Sequence, residues 1–255
     1  MNLEELAQEC IEIYQKTLKT SIPITRPSIP ILYFGNKPAY DKSEIKIISV
    51  GLNPSHNEFP VHDKFKYFRK VKDLTIGLKL SQQDVKLFLE SLNDYYKGAS
   101  YRWFNCFEPM LNGMNASYYE NKNPNRVLHT DICSPIATDI TWSDLDQIHQ
   151  QRLSIDGIEI WHRLVKILAP DFIILSLARK HLQKIRFDRT PWKEIIVIRK
   201  KRDETNRTKP YPIIKSKYKL NGKTGYLIFG QAAQTPFGKI SNTQKRKIGQ
   251  ILLTL

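Results

Sequence analysis

The sequence predicts an α/β fold: one domain over residues 1–255, built on a short, mainly parallel sheet of four to five strands flanked by helices. Three observations predict it. Apolar runs of strand length, rich in β-branched residues, alternate with stretches of helical periodicity. Three of those runs end in polar loops, at 51–56, 131–134 and 231–241, the position where open α/β sheets bind ligands. No internal repeat or long linker divides the 255 residues, which suffice for one large core or two small ones.

The elements follow in order. Residues 2–18 place Leu3, Leu6, Cys10, Ile13 and Tyr14 on one face of a packing helix. Residues 20–44, with Pro23, Pro27, Pro30 and Pro38, predict an extended segment leading to the α/β core at 45–255. The first strand is 45–50. Residues 56–80 mix aromatic and basic side chains. Ser81 starts a helix with Asp84 completing a capping box, and Val85, Phe88, Leu89 and Leu92 face inward. Val127–Thr130 is a second short strand, running into Asp131. Ser154 is the expected cap of a helix whose Ile158, Trp161, Leu164, Val165 and Leu168 share a face. Strands follow at 172–177, 195–198 and 225–229, with a polar loop from Arg199-Lys200-Lys201-Arg202 to Lys209 between the last two. Ser241 caps a final helix, with Gln244 in the capping-box position.

The charge balance is strongly basic. Forty Lys and Arg against 25 Asp and Glu give +15, a surface that attracts polyanions and nucleic acid first among them. Cys10, Cys106 and Cys133 form no CxxC pair and are too few for a four-thiolate cluster, which fits a reducing, cytoplasmic compartment. The acidic start, with Glu4 and Glu5, is unlike a signal sequence, and no apolar run reaches the roughly 20 residues that span a bilayer. No membrane partner is expected.

The run Ile47-Ile48-Ser49-Val50 breaks into Gly51-Leu52-Asn53-Pro54-Ser55-His56, which offers an amide, a hydroxyl and an imidazole within four residues. Asn53 reads either as a site residue or as a turn-stabilising Asx residue. His56 reads as a catalytic group or a structural hydrogen-bonder, and Asp131 as a site carboxylate, a helix cap or a surface acid.

In order and spacing these loops resemble the motifs of the uracil-DNA glycosylase superfamily over about residues 45–250. The first motif of that superfamily reads GQDPYH, GINPG or GMNPG in different families, and Gly51–His56 matches in register. The base-recognition residue that ends a later strand, usually Asn, corresponds to Asp131. The last motif corresponds to Thr235-Pro236-Phe237-Gly238-Lys239-Ile240-Ser241 and lacks the usual His. The resemblance implies a metal-free, cofactor-free monofunctional DNA glycosylase, working as a monomer on double- or single-stranded DNA. It would flip a pyrimidine out of the stack and hydrolyse its N-glycosidic bond to leave an abasic site. Asn53 would orient the water, with His56 as the second catalytic candidate. Gly51, Leu52, Ser55, Phe65, Phe68 and Asp131 would form the base pocket, core packing being the other reading of the two phenylalanines. Thr235, Pro236, Phe237, Lys239 and Ser241 would contact DNA, with Phe237 near the place of a wedge and Ser241 at a phosphate-binding helix start.

Two departures bear on the substrate. Ser55 stands where one family has a Tyr that packs against C5 of the base, so a C5 substituent has room. Asp131, if ionised, only accepts hydrogen bonds, and cytosine offers an N4 amino donor. A 5-substituted cytosine, such as the hypermodified cytosine of phage DNA, fits both. Ordinary uracil or mismatch repair is the alternative within this chemistry. Outside it stand a metal-dependent nuclease using Glu108, Asp131 and Asp139 and a non-catalytic DNA-binding module.

Overall fold

The computed structural model describes residues 2–72, 80–97, 101–201 and 203–255. Residues 73–79 of the aromatic and basic stretch, and Arg202 of the basic run, lie outside the described residues. The chain divides into two compact units, each assembled from separate stretches of sequence.

The second unit comprises Lys37–Val50, Tyr96–Leu128 and Ala169–Leu255 and carries most of the sheet. Among the described residues the strands are β1 (Ile47–Gly51), β2 (Ala116–Ser117), β3 (Asn125–Asp131), β4 (Phe172–Leu175), β5 (Lys193–Lys200), β6 (Asn206–Leu220) and β7 (Lys223–Phe229). Their order is β2-β3-β1-β4-β7-β6-β5. β1, β4 and β7 pair in parallel, as do β2 and β3; β6 is antiparallel to both β7 and β5. The sheet is therefore seven-stranded and mixed rather than four- to five-stranded: parallel pairs join β2 to β3, β1 to β4 and β4 to β7, and the antiparallel β6 and β5 extend it at one edge.

The additions are β2, a two-residue strand, and β6, whose first four residues stand in the expected polar loop. Two prolines and many lysines hide β6. Pro210 and Pro212 fall in the half of β6 that pairs only with β5, because pairing with β7 begins at Ile214. A proline without a donor is tolerated where one side of a strand has no neighbour. From Ile214 onward the strand alternates cleanly: Ile214, Ser216 and Tyr218 are buried, while Lys217 and Lys219 are exposed.

This unit also holds α2 (Lys37–Asp41), α4 (Glu108–Gly113) and α6 (Asn242–Leu252). α2 interrupts the expected extended segment. α4 and α6 cross at two glycines: a Cβ on Gly249 would lie 2.0 Å from the Met110 carbonyl oxygen, and one on Gly113 2.2 Å from that of Arg246. No side chain fits between backbones that close. Ser241 caps α6 with the expected capping box to Gln244.

The first unit comprises the described residues up to Asn36, Gly51–Tyr95 and His129–Leu168. It holds α1 (Leu3–Thr17), α3 (Gln82–Asn93) and α5 (Gln147–Leu168). Ser81 and Asp84 form the expected box on α3. An unexpected box, Asn2 with Glu5, starts α1, where Ile11 takes the buried place expected of Ile13. Ser154 is not a cap. α5 begins seven residues earlier, where the Asp146 carboxylate accepts from the Ile148 and His149 amides (2.8 and 3.1 Å), leaving Ser154 buried inside the helix.

Among the described residues no helix is long and apolar enough to cross a membrane.

Candidate functional site

The first unit brings together the ends of β1 and β3. Beyond the strands their backbones stay side by side: the Ile132 amide donates to the Gly51 carbonyl (3.1 Å), and those of Cys133 and Ser134 to the Leu52 carbonyl (2.9 and 3.2 Å). α5 fixes this exit from behind. Trp161 Nε1 donates to Thr130 Oγ1 (3.0 Å), and Gly157 lets the helix reach the Cys133 carbonyl, 2.0 Å from where a Cβ would sit. The segment before β1 lies along the far side of the same loop, through the Ile31 amide to the Pro135 carbonyl (2.7 Å) and the Thr25 amide to the Ala137 carbonyl (3.0 Å).

Asp131 is neither a helix cap nor a surface acid. It is the last residue of β3, with its side chain 3% exposed. A Cβ on Gly51 would lie 2.4 Å from its Oδ1 and 2.9 Å from His129 Nε2, so glycine is required at that place in β1. The His129 ring, also buried, stands 3.5 Å from Asp131 Oδ1, too far for a good hydrogen bond. The described contact of the Asp131 carboxylate is this long one to His129, so its oxygens keep capacity to accept from a ligand donor.

Asn53 is held in one orientation. Its Nδ2 donates to the Pro54 carbonyl (2.8 Å) and to Thr138 Oγ1 (2.8 Å). A carbonyl only accepts, and the Thr138 hydroxyl gives its own proton to the Ile140 carbonyl (2.7 Å), so the amide nitrogen must face both. Asn53 Oδ1 is left without a partner among the described residues. Ser55 accepts from the Asn57 amide (3.0 Å) and caps a 3-10 turn over His56–Glu58. His56 is exposed, and no described residue hydrogen-bonds its ring.

The turn that Ser55 caps delivers Glu58, a residue the sequence reading passed over. Tyr95 donates its hydroxyl to Glu58, and the Tyr95 ring meets Phe34 edge-on (4.7 Å), which in turn lies against His129 (5.6 Å). Burial pushes the Glu58 carboxyl up to about 7; the Tyr95 hydrogen bond opposes the rise and the Asp131 charge adds to it. The signal was present: a carboxylate five residues after Asn53 in the same loop.

Between its ordinary value near 4.5 and about 7, folded Glu58 holds a proton that the unfolded chain has lost, so stability falls as pH rises through that window. Glu58→Gln is therefore expected to match the wild type near pH 4.5 and to exceed it at pH 8, by on the order of 3 kcal/mol. Urea denaturation at the two pH values checks this; an equal difference at both would show that the carboxyl carries no such proton.

The remaining expected site residues divide. Phe65 is half-exposed and meets Phe59 edge-on (6.3 Å). Phe68 is fully buried, stacked on Phe59 (5.4 Å) and tilted against Tyr95 (5.5 Å), so it presents no ring face to a base. Leu52 contributes its carbonyl to the paired loops. A cavity of about 200 Å³ lined by Ile13, Ile22, Pro135, Leu153 and Ile160 includes none of Asn53, Glu58 or Asp131.

In the second unit the expected DNA-contacting loop departs from the wedge reading. Phe237 is fully buried: its ring packs against Phe107 (5.8 Å) and over Gly230, and its amide donates to Ser176 Oγ (2.8 Å). A ring so placed cannot enter a duplex. Pro236 is buried, and its carbonyl accepts from Lys245 Nζ (3.3 Å). Thr235 is half-buried, Lys239 exposed, and the Ser241 hydroxyl is engaged in its capping box. In sequence, apolar residues of a loop look alike whether they anchor it or protrude; Phe237 and Pro236 anchor this one.

Compared with known proteins, the sequence matches no family model and no curated relative.

Proposed function

We propose that this protein is a monofunctional DNA glycosylase that flips out a cytosine-type base, best a 5-substituted one such as phage hypermodified cytosine, and hydrolyses its N-glycosidic bond. The observation that carries the reading is the buried Asp131 carboxylate, whose described contact is a long 3.5 Å one to His129 Nε2, beside a loop whose Asn53 Oδ1 is turned free by two bonds from its own Nδ2.

Asp131 accepts from the N4 amino group of the flipped base. Cytosine N3 is itself an acceptor and needs a proton, which Glu58, near 7, carries for part of the population at neutral pH. Asn53 Oδ1 takes a hydrogen bond from the attacking water and aims it at C1′, where positive charge develops as the base departs. Ser55 leaves the C5 side open while its hydroxyl holds the turn that delivers Glu58.

A metal-dependent nuclease fits less well. The Glu108 oxygens accept from Asn112, Ser117 and the Tyr118 amide, Asp139 is exposed, and no group of three potential ligands is found among the described residues. The deciding experiment incubates the purified protein with duplexes carrying uracil, mismatches or 5-modified cytosines, in EDTA, followed by alkali. Alkali-dependent breaks at a modified cytosine are expected. Breaks that need magnesium and no alkali would establish the nuclease, and efficient cleavage at plain uracil alone would establish a repair enzyme.

A further inference from the structure

The basic charge is not spread over the chain. Residues 169–255 hold 20 of the 40 Lys and Arg but 5 of the 25 Asp and Glu, so residues 1–168 are neutral and the whole excess of +15 belongs to this last third. In the neutral part Lys37 pairs with Asp41, Lys70 with Glu90 and Asp94, and Arg163 with Glu9; in the last third Lys223 pairs with Asp171 (2.8 Å). On β6, Lys215, Lys217 and Lys219 have no ion-pair partner among the described residues, nor does Lys193, which faces Lys215 across the β5 register.

These lysines share one face. Ile214, Ser216 and Tyr218 turn the other way and are buried, and the Tyr218 hydroxyl donates to the Pro170 carbonyl (2.5 Å). Lys217 stands opposite Tyr226 in the β6–β7 register, and the ammonium groups of Lys215 and Lys217 both lie over the Tyr226 ring, 5.6 and 5.7 Å from its centre. The ring stabilises two like charges side by side where an acid would cancel them. Same-face residues of a strand repeat about every 6.8 Å, twice the roughly 3.4 Å axial spacing of phosphates along one strand of duplex DNA.

We propose that this outer face of β6 binds the phosphate backbone of duplex DNA without regard to sequence, and that it supplies most of the affinity for undamaged DNA. The surface carries the glycosylase to its target and takes no part in base recognition. The proposal rests on the DNA reading above for its partner, but it is measured without excision.

The test is fluorescence anisotropy with a random-sequence duplex of unmodified bases over a salt series. Lys215→Gln, Lys217→Gln and Lys219→Gln together are expected to lower the slope of log K against log salt by about 2.7, from about 0.9 per phosphate contact. Lys217→Gln alone should lower it by about 0.9, which guards against a folding defect in the triple variant. A control with the exposed Lys19, Lys42 and Lys86 changed to Gln should keep the wild-type slope. The proposal is overturned if the β6 variants keep that slope, if the control loses as much, or if the wild type binds phosphatidylserine vesicles and not the duplex. Wild-type binding with the expected slopes but no excision of any base would overturn the glycosylase reading and leave this surface as assigned.

Discussion

Asn53→Ala is expected to reduce excision by about 10²-fold or more while the Kd for substrate duplex stays within about twofold of wild type. The Asn53 amide nitrogen is committed to the Pro54 carbonyl and to Thr138, so what the variant removes toward a substrate is one acceptor oxygen. That oxygen matters when water attacks and contributes little when the duplex first binds, so the loss falls on kcat. Thr138→Val should reproduce part of the defect, because it lets the amide turn without removing it. Single-turnover excision and anisotropy on the same duplex separate the two effects. Wild-type turnover in Asn53→Ala would show that the residue serves only its turn.

Asp131→Asn is expected to move preference from cytosine-type toward uracil-type bases. A carboxylate accepts from N4, whereas an amide also donates, and uracil O4 needs a donor. A mismatched hydrogen bond in such a pocket costs roughly 1–3 kcal/mol, a change in preference of about tenfold or more. The site makes the exchange readable. Asp131 lies against Gly51, where not even a Cβ fits, and Asn has the size of Asp, so the new side chain occupies the same place. The exchange also removes the charge that helps hold Glu58 up, so the pH profile of excision should shift toward acid. Competition between uracil and modified cytosine in one duplex pool measures the preference. An unchanged ratio would separate Asp131 from base reading.

Several features were legible in the chain. The β-branched run into Gly51, the Ser81 and Ser241 capping boxes, the strand ending at Asp131 and the apolar run at 172–175 depend on neighbours within a few residues, and local chemistry fixes them. That Asn53 and Asp131 stand where β1 and β3 end was readable for the same reason, since a β-branched run broken by polar residues marks a strand end. β6 was not, because its lysines and prolines contradict the strand pattern until its neighbours are known: β7 covers only the half without proline.

Whether a side chain was buried or presented depended on contacts remote in sequence. Phe237 and Phe68 looked like ring donors to DNA and became core, because Phe107, Gly230, Phe59 and Tyr95 close over them. Nothing next to Glu58 in the chain marks it as buried, yet burial in the fold pushes its carboxyl up to about 7; the Asp131 charge, 73 residues away, adds to the rise and the Tyr95 hydrogen bond, 37 residues away, opposes it. The sequence by itself determined the α/β class, the starts of the helices capped by Ser81 and Ser241, and the polar residues at the ends of β1 and β3. Only the tertiary structure decided which carboxylates are buried, which way Asn53 points and which lysines stand together, because burial and charge coupling act through space, while propensity and capping act along the chain.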